Sequence, residues 1–214
     1  MKLLKFPLIA ICSALFFFSC GSNNPDSKEV AENTNDEKFD ESKDMKKDAD
    51  AVLEAYSGSL MEVRLSEQMM PKFVTTEAKK LAEMMVVAHQ KANVQLKELA
   101  SKKQITLPAD LSDEDKNKIN KMLDEHKGLD LDKRYANEMI DGHKSMIDKF
   151  EKNADKCEDP DIQGFFSSML PDLRSHLKMA EDTKEMIKDR KDGDKMSRES
   201  SRSPKDQNLG KTGY

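Results

Sequence analysis

Three histidines, His89, His143 and His176, and the carboxylate of Glu62 are the residues of this 214-residue chain whose types and placement could do chemistry. Each falls on the inward stripe of a different amphipathic helical pattern, the histidines near its middle and Glu62 on it or close to it. Neutral imidazoles and a carboxylate directed into a core between helices are what a transition-metal or redox site requires. Thioethers recur one turn away, in Met85-x-x-x-His89, Met139-x-x-x-His143, His143-x-x-Met146 and His176-x-x-Met179. They form a soft set suited to copper, and Met139 joins the candidate ligands.

Two features oppose a shared metal. A ferritin-like di-iron centre draws Glu-x-x-His from two helices, and the sequence has no such pair. Counted from a turn near Cys157, His143 lies 14 residues out and His176 lies 19. That stagger of five residues is about 7 Å along a helix axis. A turn near Phe73 leaves Glu62 and His89 with the same mismatch, at 11 and 16 residues. The expectation is therefore structural. Each histidine is read as a core residue hydrogen-bonded to Tyr56, Tyr135, Glu62 or a backbone carbonyl, fixing helix register, and each Met as adaptable filler. A transition-metal site at Glu62, His89, His143 and His176, with Met139, is the alternative. His126 falls in the last turn of a short helix, where a cation suits the C-terminus, and is expected to be exposed.

Other chemistry is excluded by what the chain lacks. It has no Gly-rich phosphate loop, no Cys-x-x-Cys and no nucleophile elbow, so kinase and hydrolase readings fail. Lys and Arg number 36 against 41 Asp and Glu, for a net charge of −5, which disfavours nucleic acid as a partner. Eight Gly and few alternating β-branched runs argue against an all-β fold.

The elements that must position the candidate residues are helical. From about Asp48 to Met70, Val52, Ala55, Tyr56, Ser59, Val63, Ser66 and Met70 recur at three- and four-residue spacing, and Pro71 disfavours continuation. Thr75 or Thr76 can cap a second helix with the stripe Ala78, Leu81, Met85, His89, Ala92, Leu96 and Leu99, ending in the polar run 101–104. After Pro108, a short helix begins at Ser112 and stops before Gly128, burying Ile119, Met122 and Leu123. A third long helix starts near Asp130 or Asp132 and carries Tyr135, Met139, His143, Met146 and Phe150. Asp159 and Pro160 open a fourth, which runs through Pro171, with a kink expected there, to Ile187. The predicted fold is all-α: an antiparallel four-helix bundle over 48–188, with a short extra helix between the second and third long helices. Residues 189–214 are read as a disordered polar tail.

The chain opens with Lys2 and Lys5 and an uncharged apolar run from Phe6 to Phe18, the pattern of an export signal. Leu15-Phe16-Phe17-Phe18-Ser19-Cys20 resembles a bacterial lipoprotein box. That resemblance implies cleavage of residues 1–19 and a lipid anchor on Cys20; ordinary secretory cleavage nearby is the alternative. Residues 20–47, rich in Asn, Ser, Asp, Glu and Lys, are expected to form a disordered acidic tether. No Asp follows Cys20, which favours the outer membrane, facing periplasm or surface. Cys157 alone would remain as a thiol, so no intramolecular disulfide can form.

The segments 84–93, 128–135, 139–143 and 170–177, with Glu62-Val63 and Leu107-Pro108, resemble the domain of unknown function 4142 family over roughly 48–187. The resemblance implies a ferritin-like bundle found in secreted and membrane-attached bacterial proteins, and it names no reaction. Ala88 and Gly142 stand where the family commonly has Asp before a His, and Lys144 where Glu is common after one. The functional expectation is a lipid-anchored envelope protein acting as a non-catalytic binding or structural module, with an envelope protein partner to be identified. A metal-binding or redox protein is the alternative.

Overall fold

The computed structural model describes residues 25–191, which form six α-helices and one 3₁₀ turn; among the described residues there is no strand. They are α1 (Ser27–Lys38), α2 (Lys43–Met69), α3 (Thr76–Lys103), α4 (Asp113–Glu125), α5 (Gly128–Lys156) and α6 (Pro160–Ile187). The 3₁₀ turn Met70–Lys72 follows α2.

Local chemistry sets the boundaries. Thr75 Oγ1 accepts from the Ala78 amide, Ser112 Oγ from Asp115, and Asp159 from Asp161 and Ile162, each filling an orphan donor at a helix start. Pro160 occupies the first turn of α6, where its missing N–H costs nothing. Gln104 closes α3 in the left-handed region at φ 59°, and Gly128 opens α5 at φ 58°. α6 continues through Pro171 as one helix.

Two buried carboxylates fix how the long helices run. Asp132, near the start of α5, accepts from the amides of Val74 and Thr75 at 3.2 and 2.7 Å, joining α5 to the α2/α3 turn. Asp48, near the start of α2, accepts from Glu158 and Asp159 at 3.1 and 2.8 Å, joining α2 to the α5/α6 turn. Lys103, at the end of α3, meets Asp159 at 2.5 Å. So α2 runs antiparallel to α3 and α5, α3 and α5 are parallel, and α6 opposes both. The connection 104–127, which contains α4, carries the chain back along the length of the helices.

The core lies in two apolar halves. Leu65, Met69, Phe73, Leu81, Met85, Leu131, Tyr135 and Met139 pack toward the α2/α3 turn. Val52, Tyr56, Leu96, Phe150, Ile162, Phe166 and Leu173 pack toward the α5/α6 turn, with Phe150 and Phe166 edge to face at 4.8 Å. Glu62, His89 and His143 are buried at the waist between the halves.

The disordered tether expected over 20–47 is corrected. Ser27–Lys38 is helical, and α2 already begins at Lys43, five residues before the expected start of the bundle. α1 has little apolar surface, which is why composition hides it, but it is tied down by polar contacts. The amide side chain of Asn35, fully buried, donates to the Thr106 carbonyl at 2.9 Å and accepts from the Thr106 amide at 2.7 Å. Asp26 caps α1 and also accepts from the Asp113 amide, so α1 clasps the start of the return connection. At the other end, Arg190 pairs with Glu77 at 2.5 Å, so the expected tail begins docked; 192–214 lie outside the described residues, as do Cys20 and the expected signal segment 1–19.

Candidate metal centre

One residue from each long helix reaches the waist: Glu62 from α2, His89 from α3, His143 from α5 and His176 from α6. The imidazole centroids form a nearly equilateral triangle with sides of 5.4, 5.5 and 5.6 Å. One nitrogen of each ring lies within 4.8 Å of the others. Glu62 joins two of them, with Oε2 2.8 Å from His89 Nε2 and Oε1 3.5 Å from His143 Nδ1.

The stagger read from the sequence does not keep these residues apart. Helical side chains lean toward their own N-terminus. Glu62 is nearer the α2/α3 turn and leans away from it, while His89 is farther and leans back. The same holds for His143 and His176 about the α5/α6 turn, so both offsets close between the backbones.

The contacts are in part those expected of core histidines: His143 meets a backbone carbonyl and His89 meets Glu62. Tyr135 bonds Ser66 at 2.7 Å instead of a histidine, and Lys97 sits over the ring of Tyr56. His89 Nδ1 meets Ser59 Oγ at 3.1 Å, a partner the sequence reading placed on the stripe but gave no role. His143 Nδ1 lies 2.9 Å from the Met139 carbonyl. A carbonyl only accepts, so Nδ1 carries the proton and Nε2 presents a lone pair. That Nε2 is buried and has no hydrogen-bond partner, and the same is true of His176 Nδ1, His89 Nε2 and Glu62 Oε2. The last two lie 2.8 Å apart, within reach of each other as an ion pair. Met139 contributes through its carbonyl, and its side chain packs in the apolar half beside Tyr135. His126 pairs with Asp130 at 2.6 Å and is half-exposed, away from the cluster.

Burial pushes the His143 imidazole below its ordinary value against the pull of Glu62. Burial, reinforced by His89 and His143, brings His176 down to about 4. Burial alone would raise the Glu62 carboxyl, but His89 and His143 outweigh it and hold it below the usual range. Neutral imidazoles facing a carboxylate are the protonation states a metal needs.

Two cavities reach the cluster from opposite sides. One of about 840 Å³ lies between α3 and α6, with His89 and His176 in its wall. The other, about 300 Å³, lies between α2 and α5 and reaches Glu62 past Gly58 and Gly142. A Cβ on Gly142 would stand 3.1 Å from Glu62 Oε1, so a larger residue there would crowd the carboxylate. Cys157 lies apart from the cluster, buried in the half of the core toward the α5/α6 turn, its thiol pushed up to about 12 by burial and the Asp48 carboxylate.

The chain matches the family described as Domain of unknown function (DUF4142) over residues 33–183, and it belongs to that family. No curated protein and no solved structure matches it.

Proposed function

We propose that this protein is a lipid-anchored bacterial envelope protein whose ferritin-like four-helix bundle holds a transition-metal ion at Glu62, His89, His143 and His176. One observation carries the reading: nitrogens of His89, His143 and His176 lie within 4.8 Å of one another in the core, Glu62 Oε2 stands 2.8 Å from His89 Nε2, and His143 Nε2 and His176 Nδ1 are buried without hydrogen-bond partners. Orphaned buried polar atoms each cost about 1–3 kcal/mol, and a cation shared among them removes that cost. Adjacent ligands at zinc-like bond lengths stand about 3 Å apart, close to the 2.8 Å between His89 Nε2 and Glu62 Oε2. The ferritin-like topology is supported by parallel α3 and α5 joined through a long return connection.

In this reading the Met139 carbonyl and Ser59 orient His143 and His89, the outer contacts that set tautomer and ring direction. The site stores or carries the ion, and no catalytic residue is assigned. Elemental analysis of the full-length chain, purified without chelator or affinity tag, should give about one transition metal per chain. His143→Gln with His176→Gln should abolish it. Absence of metal after exposure to zinc, copper and iron would return the histidines to a structural role.

The envelope reading rests on the sequence before Cys20, and among the described residues no helix is long and apolar enough to cross a membrane. Cys20→Ala should move the protein from the membrane pellet to the soluble fraction. Unchanged partitioning by immunoblot would defeat the anchor.

A further inference from the structure

We infer that the ion taken by this site is cuprous copper, admitted through the cavity between α3 and α6 past the thioethers of Met84 and Met179. The inference rests on the metal-site reading above. Imidazole and carboxylate alone do not choose among zinc, copper and iron, because all three accept such ligands. The approach to the site does choose. Met84, Met146, Met169 and Met179 line the cavity whose wall holds His89 and His176. Thioether sulfur is a soft ligand that favours Cu(I), and it does little for a hard dication.

The placement of two of these sulfurs is specific. α3 and α6 run antiparallel, with His89 and His176 facing each other. Met84 stands five residues before His89 and Met179 three after His176, so both lie toward the α2/α3 turn, at about 7 and 4 Å along the axis. They bracket the seam on one side of the histidine pair. Met179 is 40% exposed, Met84 is half-buried and His89 is buried, a gradation from solvent to site. The charged residues lining the cavity balance, Lys80 and Lys91 against Glu83 and Asp172, so no anionic funnel draws in a dication. The one thiol among the described residues, Cys157, is buried elsewhere and does not compete. No electron is transferred on binding: the ion arrives as Cu(I) and exchanges its carrier's ligands for these.

The test uses the full-length chain under anaerobic conditions, with Cu(I) buffered by a chromogenic chelator and, separately, Zn(II) alone. Wild type should take one Cu(I), and Met84→Leu with Met179→Leu should weaken or slow that uptake by about tenfold, leaving Zn(II) binding unchanged. Equal Cu(I) affinity and uptake rate in wild type and the double variant overturns the inference. So does Zn(II) binding without Cu(I) binding, which leaves the metal-site reading intact. Failure to bind either ion overturns both. Circular dichroism of the variant separates lost uptake from lost fold, and Met→Leu preserves volume in these walls.

Discussion

In chelator, the protein should lose at least about 2 kcal/mol of stability between pH 6.5 and pH 4, and His176→Gln should remove the largest single share. His176 titrates at about 4 when folded, down from the ordinary 6.5. Between those values the unfolded chain binds a proton that the folded chain refuses, so unfolding becomes more favourable as pH falls. The contribution is fully present above 6.5 and is lost as pH drops through 4. A shift of this size corresponds to about 3 kcal/mol, and solvent at the partly open side of the ring lowers it toward about 2. His143, also depressed by burial, acts in the same direction. Glu62, held below its usual range, adds a further loss beneath the ordinary carboxylate value. Urea titrations at pH 7, 5.5 and 4 measure this directly. A midpoint independent of pH over that range, or a His176→Gln variant as acid-sensitive as wild type, would mean that His176 does not sit neutral at the waist.

The waist was partly legible in the sequence. Period-3.6 stripes place Glu62, His89, His143 and His176 on inward faces, because burial needs only the local pattern. Their convergence was not legible from residue counts. Counting from turns locates backbones, whereas ligand atoms sit several Å toward each helix's N-terminus, and in antiparallel neighbours that lean closes one offset and would widen the opposite one. α1 was hidden for another reason. Its sequence, Ser27–Lys38, buries only Ala31 and Asn35, and it is held by the Asn35 amide on the Thr106 backbone, a pairing 71 residues apart that no local pattern records. Asp132 was legible as a residue at a helix start, but its service to amides of another turn depends on tertiary placement.

That service should make Asp48 and Asp132 the most costly polar residues to remove. Asp132 is fully buried, and its two oxygens take the Val74 and Thr75 amides; Asp48, 1% exposed, takes those of Glu158 and Asp159. Each carboxylate therefore satisfies two turn amides that have few other acceptors, and each bolts a helix start to the turn of the opposite hairpin. Replacing either by Ala removes the charge-assisted bonds and strands the donors, at about 2–4 kcal/mol per site. Asn keeps one acceptor oxygen and should recover part of that loss. The two sites lie at opposite ends of helices about 40 Å long, so their costs should add. The double Ala variant then forfeits about 4–8 kcal/mol, comparable to the whole stability of many domains, and should be largely unfolded at 37 °C. Urea unfolding of both singles and the double measures this. Single losses below about 1 kcal/mol, or a double no worse than one single, would show that other contacts hold the helix ends together. The larger the measured cost, the more firmly both ends are clamped, and it is the clamping of both ends that sets the axial register at which four helices bring Glu62, His89, His143 and His176 to one level.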